Sequence, residues 1–188
     1  MWGQRGAVVV EMAIVVPILV LLAFGVLEFG LAFKDKLTMA HAVNQATRSA
    51  TVLGTDRASD LAVLHAFEAG LSGATSLDTV VYVDVFKADG NGAPLIWDRY
   101  TPDDSACGWS PCPDPDPTKF GGYGAPDDYP PCSRDTALDG GVDTIGVKVR
   151  YNHAWVTGVI GMSPQIWHET ARGRIEPNVF GARGAGCP

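Results

Sequence analysis

Three residues near the N-terminus have a spacing that suggests chemistry. Gly6 precedes Ala7, and Glu11 is the fifth residue after Gly6. A cut in the peptide bond after Gly6 would create an amine on Ala7 one helical turn from the Glu11 carboxylate. That amine could pair with Glu11 of the same chain or of a neighbouring copy. Such a pair in apolar surroundings adds little net stability, but it can fix the register between helices.

The segment around these residues is long and apolar enough to cross a membrane. Residues 6–33 read GAVVVEMAIVVPILVLLAFGVLEFGLAF, and about 20 mainly apolar residues span a bilayer. A carboxylate costs on the order of 2.5–3.5 kcal/mol at the centre of such a helix, although a helix N-terminus favours negative charge. Glu11 is therefore either tolerated at the helix start or held by a positive partner. A cleaved signal peptide is less consistent, because its apolar core is usually about 7–15 residues and ends at an A-x-A-like site, which is absent here.

The short leader that ends in Gly6, the apolar helix and Glu11 together resemble the start of type IV prepilins. With a long domain following, they resemble most closely the TadE-like pseudopilins of the Tad (tight adherence, Flp) pilus system. Met12 stands where that family often has an aromatic residue. The further residues that resemble the family are Ala13, Pro17, Phe29 and Gly30, and near the C-terminus Ala171, Gly173, Arg174, Glu176 and Pro177.

The resemblance implies a structural subunit and not an enzyme: a minor pilin or pseudopilin for assembly or secretion of Tad (Flp) pili, without a cofactor. It implies processing after Gly6 by a prepilin peptidase and a role for Glu11 in assembly. The implied partners are the membrane, the major pilin, other pseudopilins, the peptidase and the Tad assembly platform. The implied location is the bacterial cell membrane, single-pass, with the N-terminus cytoplasmic, the C-terminal domain extracytoplasmic, and incorporation into a surface pilus. The alternative is an uncleaved membrane-anchored binding or adhesion domain.

Charge and cysteine content limit the other classes of function. The net charge of -7 leaves no evident basic patch to neutralise phosphates, which argues against a nucleic-acid partner. An even number of cysteines in a Pro/Gly-rich region favours disulfides in an oxidising compartment, with three connectivities open. The spacing C-x4-C-x19-C lacks the second close pair of a zinc site. The disulfide candidates are Cys107, Cys112, Cys132 and Cys187.

No other constellation of residues predicts catalysis or metal binding. The sequence lacks G-x-S-x-G, H-E-x-x-H and phosphate-loop patterns. His41 and His65 are expected on helix surfaces, and His153 and His168 in satisfied structural roles. Asp114, Asp116, Asp127 and Asp128 could supply calcium oxygens, but the D-x-D-x-D-G pattern of an EF-hand is absent.

The elements that position these residues form an α+β fold. A long N-terminal helix, membrane-spanning in its first half and amphipathic in its second, is expected with a second helix on a small antiparallel sheet and a disulfide-stapled Pro/Gly-rich loop. The apolar face of the amphipathic half is expected at Leu37, Ala40, Val43, Ala46 or Thr47, Ala50 and Leu53. The expected segments are 1–6 leader, 7–33 transmembrane helix, 34–54 amphipathic continuation, 55–180 extracytoplasmic domain and 181–188 flexible tail.

Local signals within residues 55–180 predict the remaining elements. Thr55 or Asp56 is expected to cap the second helix, which ends at residues 70–73. Alternation predicts strands at 78–88, 95–100, 142–155 and 165–175, with a turn at 89–92 and a turn or short helix at 156–162. Residues 101–139 hold eight Asp and two cations and lack periodicity. Their aromatic residues either pack this loop on the domain or form a contact surface: Trp109, Phe120, Tyr123 and Tyr129.

Overall fold

One continuous helix, α1, carries the apolar segment into the body of the domain. In the computed structural model it runs over Gly3–Leu53, 51 residues, which is about 75 Å at 1.5 Å per residue. Pro17 lies inside α1 without ending it. The prediction of an unbroken helix is confirmed. The structure describes residues 3–71, 76–113, 128–137, 141–156 and 163–177, with side chains from residue 6 onward.

The domain attached to α1 is α+β, as predicted, and its sheet is antiparallel throughout the described residues. The strand order is β3-β2-β1-β4-β5. The elements are α2 (Ser59–Gly70), β1 (Val80–Ala88), β2 (Pro94–Pro102), β3 (Trp109–Ser110), β4 (Thr144–His153) and β5 (Gln165–Arg174), with single 3-10 turns at Leu77–Thr79 and Pro131–Ser133.

The start of α2 differs from the prediction. Neither Thr55 nor Asp56 caps it, since the residue before the helix is Ala58, which makes no side-chain capping bond. The amide of Asp56 instead donates to the Leu53 carbonyl at 2.7 Å, and the Ser59 amide donates to the Asp56 carbonyl at 2.8 Å. These tight turns use the backbone groups near the predicted cap and delay the helix by two to three residues.

The second half of α1 and all of α2 cover one face of the sheet. The predicted apolar face of α1 is confirmed at Val43, Ala46 and Ala50, which are buried, but not at Leu37, which is 55% exposed. Met39 and Ala42 are fully buried as well, and the small Ala42 allows a closer approach than leucine would. A Cβ at Gly70 of α2 would lie 2.5 Å from the Ala42 Cα, so the two helix backbones are in contact there.

β1 is the central strand, and its alternation places Val83 and Val85 in the core beneath the helices. The predicted turn after it is confirmed: the Asp89 carboxylate accepts the amides of Asn91 at 2.9 Å and Ala93 at 2.7 Å. Gly92 has a φ of 83°, a conformation that favours glycine. This turn joins β1 to β2 as an antiparallel hairpin.

The irregular segment after β2 contributes to the core. Trp109 and Tyr129 are 1% and 2% exposed and belong to the main apolar cluster, so these two aromatic residues pack the loop onto the domain. Cys107 and Cys112 form a disulfide, and Cys132 is also disulfide-bonded. Other predictions lie outside the described residues: Phe120, Tyr123, Cys187, the tail at 181–188 and most of the turn at 156–162.

Candidate processing and assembly site

The predicted processing and assembly residues lie together on the exposed part of α1. Every residue from Gly6 to Phe24 is exposed, including Ala7 and Glu11. A Cβ built at Gly6 meets nothing within 4 Å. Because Ala7 and Glu11 are four residues apart on one helix, their side chains share a face at roughly 6 Å. A cut after Gly6 would therefore leave the new amine about one helical turn from Glu11.

The exposed apolar length of α1 matches a bilayer. Ala7 to Leu27 is 21 residues, or about 31 Å of helix, and the hydrocarbon core is about 30 Å thick. Within the described residues one helix is long and apolar enough to span a membrane, and its apolar window is entirely unburied by the domain. A core helix of a soluble domain would bury that window, so the exposed surface indicates membrane anchoring.

The domain meets α1 earlier than the predicted boundary at residue 33. Glu28 is 1% exposed, and its carboxylate accepts the backbone amide of Val156 at 3.0 Å. One residue further, the Phe29 ring meets Trp155 edge to face, with centroids 6.3 Å apart. Residues 28–33 therefore face the domain on one side, because the chain beyond β4 returns to the helix at this level.

A second contact lies two turns further along α1. His153 Nδ1 and Asp35 Oδ2 are 2.9 Å apart, and the imidazole stacks on Trp167 with ring centroids 4.7 Å apart. His153 is 2% exposed. The satisfied structural role predicted for it is confirmed at Nδ1 only, because Nε2 is buried without a hydrogen-bond partner among the described residues. His41 and His65 are exposed on their helices, also as predicted. The helix and the membrane-facing end of the sheet are thus joined by Glu28 and Asp35.

A buried ion pair, missed by the sequence analysis, holds the irregular segment in place. Arg134 Nη2 donates to Asp60 Oδ1 at 2.6 Å, with the two side chains 0% and 1% exposed. Tyr100 donates its hydroxyl to the other Asp60 oxygen at 2.8 Å, and Arg134 also donates to the Tyr129 carbonyl at 3.1 Å. Burial is the largest single influence and would lower the pKa of Arg134, but the Asp60 charge, its hydrogen bond and the nearby tyrosines together outweigh burial, and the pKa is raised. The available sequence signal was that Arg134 is one of two cations among eight aspartates in residues 101–139.

The described residues contain no group of three or more His, Cys, Asp and Glu side chains that could hold a metal ion. Of the four calcium candidates only Asp128 is described, and its amide donates to Asp98 at 2.8 Å. Asp114, Asp116 and Asp127 lie outside the described residues.

The arrangement defines a class of protein. An α+β domain is attached rigidly to one exposed apolar N-terminal helix, and this helix makes the protein membrane-anchored. A family model described as TadE-like protein matches residues 6–48. Over this segment the chain is similar to TadE-like proteins, and the resemblance based on Gly6, Glu11 and Pro17 is confirmed. No curated protein and no solved structure matches the chain.

Proposed function

We propose that this protein is a minor pilin or pseudopilin, a structural subunit for assembly or secretion of Tad (Flp) pili. One observation carries the proposal: the TadE-like segment, residues 6–48, forms a single helix whose first half is exposed and whose second half is built into the domain core. A helix shared in this way links events in the membrane to the position of the exported domain.

Processing and assembly use the start of this helix. A prepilin peptidase cuts after Gly6, and the mature chain begins at Ala7. In the membrane the side chains of residues 7–27 contact lipid. In an assembled pilus they pack against the helices of neighbouring subunits, and the new amine of Ala7 pairs with Glu11. That pair fixes the helix register, because any other register leaves the carboxylate unpaired in apolar surroundings.

The junction at Glu28 gives the subunit the rigidity that this mechanism needs. The helix is held to the domain by Glu28, by the Asp35–His153 pair and by the core residues from Met39 onward. A force on the domain is therefore transmitted to the apolar half without a flexible linker. The position of Glu28 also supports a membrane boundary near residue 27.

The domain is placed outside the cytoplasm, with the N-terminus inside. The disulfide between Cys107 and Cys112 supports this topology, since disulfides persist in oxidising compartments. The proposed partners are the major pilin, other pseudopilins, the prepilin peptidase and the Tad assembly platform, each of which meets either the helix or the exported domain.

The Glu11→Ala variant tests the assembly role. We expect it to insert in the membrane at the wild-type level, because removing a carboxylate favours insertion, and to be absent from sheared pilus fractions. Glu11→Gln serves as a shape-matched variant and should fail equally, because it lacks the charge. Val10→Ala is the control: this neighbouring residue is 62% exposed and contributes no charge. Wild-type incorporation of Glu11→Ala would contradict the role given to Glu11.

A further inference from the structure

The outer face of the sheet, opposite α1 and α2, carries concentrated positive charge on a chain that is acidic overall. Along β5 the side chains alternate, so that Ala171 packs on the core and Arg172 is exposed on the opposite side. The same alternation on β4 places Lys148 outward between the buried Val147 and Val149. Five of the 14 Lys and Arg residues of the chain share this basic face: Arg99, Lys148, Arg150, Arg172 and Arg174.

Most of this charge is not neutralised within the described structure. Asp84 is the one carboxylate on the described strands of the basic face, and Arg99 holds it through two bonds of 2.7 and 3.0 Å. Within the described residues, the other four cations of the face form no ion pair. Arg99 and Lys148 also line a pocket of about 260 Å³ on this face. The basic face is thus an exposed surface with unmatched charge.

The opposite edge of the same sheet is acidic. The strand order puts β5 at one edge and β3 at the other. The loop between β2 and β3, residues 103–108, carries Asp103 and Asp104, both exposed. Asp103 shapes the loop, since its carboxylate accepts the Ser105 amide at 3.1 Å, whereas Asp104 makes no hydrogen bond or ion pair among the described residues. The sheet therefore has a basic face reaching one edge and an acidic loop at the other.

We propose that the basic face binds the acidic 103–108 loop of a second copy of this chain. Complementary surfaces on opposite edges of one molecule give a head-to-tail contact, which repeats as an open array. This inference goes beyond the pilin assignment. It rests on that assignment in one respect, that copies of this chain lie next to each other.

The basic face extends along the strands from the part nearest the acidic loop to a more distant row. Arg99 lies on β2 itself, four residues before Asp103, or about 14 Å along the strand direction. The register aligns Trp97 with Phe86, Gly146 and Arg172 in one row across the sheet. That row lies six residues before Asp103, or about 20 Å along the strand direction. Arg172 therefore belongs to a part of the basic face that is distant from the acidic loop of its own copy.

Photo-crosslinking of the full-length protein in membranes tests the contact. Thr170 is exposed on β5 within the basic face, so p-benzoylphenylalanine at this position reports what covers the face. We expect a covalent dimer in which the crosslinked peptide contains residues 103–108 of the other copy. No dimer, or a crosslink only to a different protein or to lipid, would overturn the proposal.

Charge reversal distinguishes the contact from chance proximity. The Arg172→Glu/Arg174→Glu variant should lower the dimer yield about fivefold or more. Adding Asp103→Asn/Asp104→Lys should restore most of that yield, and the asparagine keeps an oxygen that accepts the Ser105 amide. An unchanged yield after the first reversal, or no recovery after the second, would overturn the proposal.

The matched control reverses two exposed cations that lie outside the basic face. Arg48→Glu/Arg57→Glu changes the net charge equally but lies on α1 and the turn after it, so the dimer yield should not change.

A separate measurement distinguishes failure of this proposal from failure of the pilin assignment. The N-terminal residue of the mature chain is determined from the same samples. Cleavage after Gly6 without the dimer would reject the contact alone, and the dimer on an uncleaved chain would reject the pilin assignment alone.

Discussion

Replacing Arg134 with methionine should strongly destabilise the domain. The guanidinium lies on Asp60 at 2.6 Å, and both side chains are almost fully buried. Arg134 also donates to the carbonyl oxygens of Gly54 and Tyr129 at 3.2 and 3.1 Å. The variant leaves the Asp60 carboxylate buried with the Tyr100 hydroxyl as its remaining described donor. Removing one partner of such a pair costs about 3–5 kcal/mol.

This loss is a large part of the stability of an ordinary domain, about 5–15 kcal/mol. For a chain of this size each kcal/mol lowers the melting temperature by about 2–4 °C, so the expected decrease is about 6–20 °C. The Arg134→Met/Asp60→Leu double variant removes both charges together. It should recover at least half of the single variant's loss, because replacing a whole buried ion pair by apolar side chains is often neutral.

The assay is thermal unfolding of the full chain in detergent, followed by near-ultraviolet circular dichroism. This signal reports on Trp109 and Tyr129, which lie in the core that Arg134 supports, whereas the helical signal is dominated by α1. A loss below about 1 kcal/mol for Arg134→Met, or a double variant less stable than the single one, would refute the reasoning. Arg57→Met, at an exposed position, is the control.

Two further predictions concern burial. Glu28→Ala leaves the Val156 amide without its acceptor and should lower the free energy of unfolding by about 1–3 kcal/mol in the same melt. Glu28→Gln should lose less, and the exposed Glu11→Ala should lose nothing. Equal melting temperatures for all three variants would contradict the contact between Glu28 and the domain. Burial raises the pKa of Tyr129 and Tyr151 above the ordinary 10, so the folded state favours their neutral form and stability falls as the pH rises above about 10. Phenolate absorbance should show Tyr129 and Tyr151 ionising only on unfolding, and their ionisation in the folded state near pH 10 would contradict this prediction.

The long helix and the main strands could be predicted because each carries a local signal. The apolar run and its continuation predict α1, and the alternation around Val83 and Val147 predicts β1 and β4. The turn at Asp89 follows from its Asp-Gly-Asn-Gly sequence. The buried face of α1 was predicted correctly at Val43, Ala46 and Ala50 but not at Leu37. The close approach of α2 at Gly70 is made against Ala42, and nothing local in α1 contains that information.

The role of the irregular segment could not be predicted for a related reason. Arg134 and Asp60 are 74 residues apart, and neither lies in a periodic pattern that reports its partner. Trp109 is buried in a two-residue strand, with its indole donating to Glu68 of α2 at 2.6 Å. The Glu28 junction was missed because a carboxylate within an apolar run is easily interpreted as a tolerated exception. In the structure the chain beyond β4 supplies a donor to this carboxylate, the Val156 amide.

The measurement that tests the central claim most directly is the N-terminus of the chain purified from membranes of cells that contain the Tad system. Intact mass and N-terminal sequencing should show a chain that begins at Ala7 and lacks the six residues MWGQRG. A Gly6→Leu variant, which removes the small residue before the cut, should keep them. A wild-type chain that begins at Met1 or Trp2 would contradict the pilin assignment and favour an uncleaved membrane-anchored binding domain.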